Sequence, residues 1–376
     1  MPLLDAMFAD EAFAAEAKQQ LQLSDEELSK VQEAARNAVL ELGSDAADDD
    51  ARSTRSSVEN TRKKVEELIG AEKTQALFGL VQSRWSAGSQ ELALSRPNEV
   101  PDDTRIVVNA PAYRMDLFKD GQLVKTYKIG IGYPEFPLPT GLRKANEIIF
   151  NPTWTPPDEP WVKGKVQPGK KVEAGSKLNP LGPIKIPIGL PSLIHGGKDP
   201  SRLGTFASHG CVGLTSAMVQ DFAIQLSSLA GAPISMDEVK GYERTKTETK
   251  EVQLSTPVPV ELRYETIVVQ DGSVTIYRDV YERGTNTEEN LRKVLESYGV
   301  SFDQLPEAER SQLLDALQKM AVDARGKAVE EDANANVKKN SSETVTRNIK
   351  GKKEIAVAVA SLKGKGYPQP VELAER

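Results

Sequence analysis

The sequence predicts a multidomain α+β protein, with a β-rich central domain between an N-terminal helical region and a C-terminal β/α extension. Three observations predict it. Apolar residues recur at helical spacing before residue 95. From Arg105 onward, short β-rich runs are separated by Asp-Gly turns. At 376 residues, the chain also exceeds one average domain. The parts are read as helical region 1–95, β-rich domain 96–240, β/α extension 241–330, and a polar tail 331–376 ending in a candidate strand.

In the first part, Leu21, Leu23, Leu28, Val31, Ala35, Val39 and Leu42 follow one helical face. Ser24 and Glu27 have the spacing of a capping box at its start, and Gly43 is placed to end it before the acidic loop SDAADDD. A second helix is expected from Ser57 to Trp85. Such a hairpin packs against something, either its own chain or a partner. Arg96 to Asp103 reads as a linker.

RIVVN (105–109) and RMDLF (114–118) are strand-like, and Asp120-Gly121 turns the chain into LVKTYKIGIG. Prolines crowd Pro134 to Pro191, which predicts long ordered loops. Thr215 to Ala230 has helical spacing, with Thr215 as its cap. Residues 232–256 read as a short strand and a polar stretch. Val258 to Tyr264 and Val274 to Val280 form another strand pair around Asp271-Gly272. Helices are expected at 288–298 and 306–330. Residues 331–353 have the composition of a mobile linker, before a last strand within 354–362.

Lys plus Arg is 48 and Asp plus Glu is 55, a net charge of −7. That balance argues against nucleic acid as a partner, because phosphate contact needs a concentrated basic surface. No run of about 18 apolar residues is present, so no transmembrane helix is expected. The opening residues lack the basic and apolar regions of a secretory signal: the protein is cytoplasmic, or the numbering starts near a mature chain.

The chain holds two histidines and one cysteine. All three fall between His195 and Cys211: His195-Gly196-Gly197, ten residues, Ser208-His209-Gly210-Cys211-Val212-Gly213. Thiol acyl transfer needs a nucleophile, a proton acceptor and donors for an oxyanion. Cys211 supplies the thiol and His195 a base. In an extended strand His209 would point the same way as Cys211, and the Gly210 and Cys211 amides are candidates for an oxyanion hole. Two other readings stay open at this point. A lone cysteine is often a small buried hydrophobe. Two histidines and a cysteine also suit zinc, although no fourth ligand and no HExxH or CxxC spacing accompanies them.

This window resembles the L,D-transpeptidase catalytic domain, or YkuD domain. That family's signature is a His, a dozen or more residues, Ser/Thr-His-Gly-Cys, an apolar residue, then Arg or Asn. Leu138-Pro139-Thr140-Gly141, Asn151-Pro152-Thr153-Trp154-Thr155-Pro156-Pro157 and Asn179-Pro180-Leu181-Gly182 resemble further family segments, over about residues 104–240. The resemblance implies a β-sandwich-like catalytic domain with Cys211 as nucleophile. It implies that His195 is the proton acceptor, oriented by the carbonyl of Gly196, and that Ser208, His209 and Gly210 shape the site. It implies no metal or organic cofactor. The implied substrates are peptidoglycan stem peptides, cross-linked 3→3 with release of D-Ala, in the periplasm or cell envelope. Hydrolysis (L,D-carboxypeptidase), attachment of an envelope protein, and a weakly active wall-binding scaffold are the alternatives. One position departs: Gly213 stands where the family has Arg or Asn, and Arg202 is the candidate replacement.

Trp154, Trp161 and Tyr133 read as packing anchors or as walls of a peptide groove. Lys163, Lys165, Lys170 and Lys171 read as a solvated basic loop or a contact for acidic groups.

Overall fold

The computed structural model describes residues 4, 7–8, 11–40, 54–81, 98–134, 136–156, 166–167, 169–189, 192–322 and 349–371. Three main hydrophobic clusters organise them. The first joins α1 (Glu11–Gln20), α2 (Asp25–Leu40), α3 (Thr54–Ile69) and α4 (71–81) through Leu4, Phe13, Val31, Val65 and Leu77. The capping box at α2 is formed: Glu27 N donates to Ser24 Oγ at 3.1 Å, and Ser24 N to Glu27 Oε2 at 2.7 Å. The single helix expected from Ser57 is instead two, because Gly70 adopts φ +81 and interrupts it. Gly43, Leu42, the acidic loop and residues 82–97 lie outside the described residues.

The second cluster belongs to an eight-stranded curled sheet. Its strands are β1 (Arg105–Asn109), β2 (Arg114–Lys119), β3 (Gln122–Lys128), β5 (Gly141–Phe150), β6 (Ile184–Pro187), β7 (Leu193–His195), β9 (Val212–Gly213) and β10 (Lys250–Arg263), in the order β3-β2-β1-β10-β5-β6-β7-β9. β4 (Ile131–Gly132) and β8 (Phe206–Ser208) make a separate parallel pair. The β2–β3 turn has Asp120 at φ +48 and Gly121 at φ +79, the left-handed pair that a two-residue hairpin requires.

The sheet's far edges meet. Gly130, just beyond β3, exchanges two backbone hydrogen bonds with Gly213 of β9, at 2.9 and 2.8 Å. This bridge curls the sheet around Ile106, Met115, Phe150, Ile194 and Val260, and α5 (Ser216–Leu229) closes the core with Val219, Phe222 and Leu226.

Three further parts differ from the sequence reading. Val258 to Tyr264 does not pair with Val274 to Val280: it belongs to the eight-stranded sheet, and the strand that Asp271-Gly272 joins to Ser273–Tyr277 is Ile267–Gln270. The proline-rich stretch contains β5 and β6, not loops alone. Residues 232–256 hold α6 (Met236–Arg244), capped by a box between Ser235 and Glu238, and then the start of β10. β10 lies between β1, to which it runs parallel, and β5, so the sheet extends past residue 240, where the β-rich domain was expected to end. Pro257 falls within β10's register shift, where a ladder donor is dispensable.

The third cluster packs α7 (Glu288–Ser297) and α8 (Glu307–Met320) on an antiparallel sheet of β11 (Ile267–Gln270), β12 (Ser273–Tyr277) and β13 (Glu354–Ala358). β13 is the last strand that the tail was expected to supply. The end of the expected 306–330 helix and most of the linker before β13 lie outside the described residues. Tyr281, from this C-terminal sequence, reaches into the second cluster: its hydroxyl donates to Gly132 O at 3.0 Å and accepts from Leu138 N at 3.2 Å. Among the described residues no helix is long and apolar enough to cross a membrane.

A Cβ on Gly130 would lie 2.5 Å from Ala207 Cβ and 2.9 Å from Arg202 O. Gly130→Val is therefore expected to force the closing bridge apart and cost about 1–3 kcal/mol, read as a lower urea midpoint. An unchanged midpoint would show that the closure carries little of the fold's stability.

Candidate active site

β7 and β9 run parallel, with Ile194 opposite Val212 and His195 opposite Gly213. His195 ends β7 and Cys211 immediately precedes β9, so in this register Cys211 falls opposite Leu193, two residues before His195 on the neighbouring strand. His195 is 3% exposed and Cys211 9%. Leu214 N donates to His195 O at 2.8 Å, which continues the pairing beyond the strands. Thr215 then caps α5, its Oγ1 accepting from Met218 N at 3.2 Å.

The tautomer of His195 follows from its partner. Nδ1 lies 2.8 Å from the carbonyl oxygen of Gly196. A carbonyl accepts only, so Nδ1 carries the hydrogen of the neutral ring and Nε2 holds a lone pair. Gly196 keeps this geometry because a Cβ there would meet Val219 Cγ1 of α5 at 2.5 Å. The Asn179-to-Gly182 turn packs alongside: a Cβ on Gly182 would lie 2.4 Å from Gly197 N. Asn179 anchors that turn, donating to Pro152 O at 2.7 Å and accepting from Leu181 N at 3.1 Å. The backbone of Leu181 also hydrogen-bonds His195, a contact that sequence reasoning did not single out.

Burial dominates the electrostatics. It lowers the pKa of His195 to about 3, with the charge of Lys198 acting in the same direction and the backbone bonds to Gly196 and Leu181 opposing. Burial also pushes the Cys211 thiol up, against a backbone hydrogen bond from Leu193 and the charge of Lys198. At neutral pH the resting pair is therefore a thiol and a neutral imidazole.

The Ser208-to-Cys211 turn is held by one side chain. Ser208 Oγ donates to Cys211 O at 2.5 Å and accepts from Cys211 N at 3.1 Å. The Cys211 amide, one of the two expected at an oxyanion hole, is thus engaged by Ser208. Gly210 sits at φ +87 and breaks the extended geometry that would have aimed His209 alongside Cys211. His209 instead lies edge-on between Tyr133 and Phe136, with ring centroids at 5.1 and 4.8 Å. Arg202 donates to Tyr133 Oη at 2.9 Å and to Phe206 O at 2.6 Å, bracing the loop.

Trp154 is half-buried and paired through its backbone with Val172, while Lys170 and Lys171 are exposed. Trp161, Lys163 and Lys165 lie outside the described residues. Among the described residues no group of three or more His, Cys, Asp and Glu side chains is placed to hold a metal.

Residues 103–260 match the family model of the L,D-transpeptidase catalytic domain, YkuD. This part of the chain is similar to the YkuD domain. The matched span ends inside β10, in agreement with that strand's place in the sheet. Among solved structures, the catalytic domain of the E. faecium L,D-transpeptidase is similar over 44% of this chain and 99% of its own, at 19% identity and a TM-score of 0.27. An L,D-transpeptidase from Mycobacterium smegmatis is similar over 43% of this chain and 58% of its own, at 16% identity and a TM-score of 0.24. One from Mycobacterium tuberculosis is similar over 43% and 57%, at 13% identity and a TM-score of 0.24. The chain thus spans a little over half of each mycobacterial protein. No curated protein matches it.

Because His195 is uncharged when folded, it binds a proton near pH 6.5 only in the unfolded chain. Between that pH and about 3 the unfolded state holds more protons, so stability falls as pH falls. The contribution at pH 4 is about 3 kcal/mol. His195→Gln is expected to lose less stability than the wild type between pH 6.5 and 4 in thermal melts. Parallel losses would contradict a buried neutral imidazole.

Proposed function

We propose that the YkuD domain of this chain is a cysteine-dependent L,D-transpeptidase acting on the tetrapeptide stems of peptidoglycan. The observation that carries this reading is the 2.8 Å contact between His195 Nδ1 and the Gly196 carbonyl, which leaves Nε2 as a base on the strand paired beside Cys211. The proton of the Cys211 thiol passes to His195 Nε2 as sulfur attacks the carbonyl that joins the L-centre of the stem's diamino acid to D-Ala. The C–N bond breaks, the proton goes to the departing D-Ala amine, and a thioester remains on Cys211. An amine of a second stem attacks the thioester and loses its proton to Nε2. The C–S bond breaks, a 3→3 cross-link forms, and the thiol is restored.

Since both groups start neutral, proton transfer accompanies attack, and the enzyme does not hold a preformed thiolate–imidazolium pair. With the Cys211 amide occupied by Ser208, the Gly210 amide is the donor left to face an oxyanion. Ser208 fixes the nucleophile's backbone, and His209 shapes the wall with Tyr133 and Phe136. The substrate places the activity in the cell envelope, outside the inner membrane. The same acyl-enzyme transferred to water would give an L,D-carboxypeptidase, and transferred to a lysine would attach an envelope protein.

Incubation with purified disaccharide-tetrapeptides, followed by mass spectrometry, tests the reading. A cross-linked dimer lacking one D-Ala is expected. Cys211→Ala should reduce it by on the order of 10³ or more. A carbapenem, which acylates the cysteine of active family members, should add its mass at Cys211. Tripeptide without dimer points to water or a protein as acceptor. No turnover and no adduct would leave a wall-binding scaffold.

A further inference from the structure

The position two beyond the cysteine is empty of side chain, and Lys198 occupies that space. A Cβ on Gly213 would lie 2.9 Å from Lys198 Cγ, 3.0 Å from Cε and 3.4 Å from Cδ. The lysine stem therefore runs across the face of Gly213, and any larger residue there would displace it. The backbone fixes where the stem begins: Lys198 N donates to Leu214 O at 3.0 Å, which ties the segment after β7 to the one after β9. Lys198 is half-buried, and among the described residues its ammonium has no hydrogen-bond or ion-pair partner.

The charged groups around it are few. Burial lowers the pKa of Lys198, the Cys211 thiolate acts to keep its proton on, and Arg202 acts to remove it. Arg202 is committed to Tyr133 and Phe206. The titratable groups of the site are then His195 on β7, Cys211 before β9, Lys198 and Arg202 on the loop between them, and His209 in its own turn beside Tyr133. An arginine at 213 would have carried its charge from β9; here the cation that interacts with Cys211 comes from the loop after β7 and its stem crosses the face of Gly213.

We propose that Lys198, admitted by Gly213, is the cation that stabilises the Cys211 thiolate in this protein. The proposal rests on Cys211 being the nucleophile. As His195 takes the thiol proton, negative charge forms on sulfur in a buried site, and a cation that is not spent on an ion pair is worth more there than at a surface. Gly213 is then a requirement of the Lys198 path, and the departure from the family pattern does not strip the site of positive charge.

Alkylation of Cys211 by iodoacetamide, followed by mass spectrometry between pH 6 and 10, tests this without any peptidoglycan substrate. Lys198→Met keeps the apolar stem and removes the charge. It should move the midpoint of the rate profile up by about one unit and slow alkylation near pH 7 about tenfold. Lys198→Arg should restore most of the rate. Gly213→Ala keeps the lysine but pushes its stem aside from Cγ onward. It should shift the profile in the same direction, and the double variant should be no worse than Lys198→Met alone. Melting temperatures of all variants should match the wild type. A Lys198→Met profile that superimposes on the wild type overturns the proposal. A shift in Lys198→Met with none in Gly213→Ala overturns the role of Gly213. Failure of transpeptidation alongside a shifted profile would count against the substrate and leave Lys198 standing; normal transpeptidation with unshifted profiles would count against Lys198 alone.

Discussion

A carbonyl oxygen can accept a hydrogen bond but never donate one, and at Gly196 that constraint sets the chemistry of the site. It places the proton of His195 on Nδ1 and the lone pair on Nε2. The surrounding packing keeps the carbonyl where it is. Gly196 has no side chain because Val219 of α5 occupies the space, and Gly182 and Gly197 meet backbone to backbone on the other side. β7 is paired to β9, β9 is bridged to Gly130 just beyond β3, and Thr215 caps α5 two residues beyond β9. The sheet closure, the capped helix and the glycine contacts thus converge on one imidazole.

The same burial that orders the site makes its charge costly. Desolvation is the largest influence on His195, on Cys211 and on Lys198, and it favours the uncharged form of each. The fold answers with short-range polar contacts to the two reacting groups: the backbone of Gly196 and Leu181 for the imidazole, and the backbone of Leu193 for the sulfur. A neutral resting pair protects a buried thiol from indiscriminate reaction, and it leaves the burden of stabilising charge to the moment of attack. A cation within the site then matters more than one at the surface, where water and salt would screen it.

Much of this was legible in the sequence for local reasons. The rare residues of the chain are confined to one window, and their types suit a single chemistry. Asp120-Gly121 and Asp271-Gly272 announce hairpins because both positions need positive φ. The capping boxes at Ser24 and Ser235 share one spacing, and the second opens a short helix inside a stretch whose polar composition hides it. Other features depend on partners far away in sequence. β5 and β6 sit among prolines that read as loop, and they are strands because β10 and β7 supply their ladders. The polar outer half of β10 gave no strand signal for a similar reason. His209 was misjudged because the positive φ of Gly210 cancels the alternation of an extended strand. The path of Lys198 over Gly213 is invisible in one dimension, since fifteen residues separate them, and it appears only once β7 and β9 are paired.

The most direct test of the account is the protonation state of His195, read by 15N NMR of the imidazole in the folded chain between pH 5 and 8. With two histidines present, comparison with His209→Gln assigns the signals. The account predicts that Nδ1 carries hydrogen and Nε2 does not, unchanged across that range. An imidazolium signal for His195 at pH 7, or hydrogen on Nε2, would contradict it: the first by showing a preformed ion pair with Cys211, the second by removing the base.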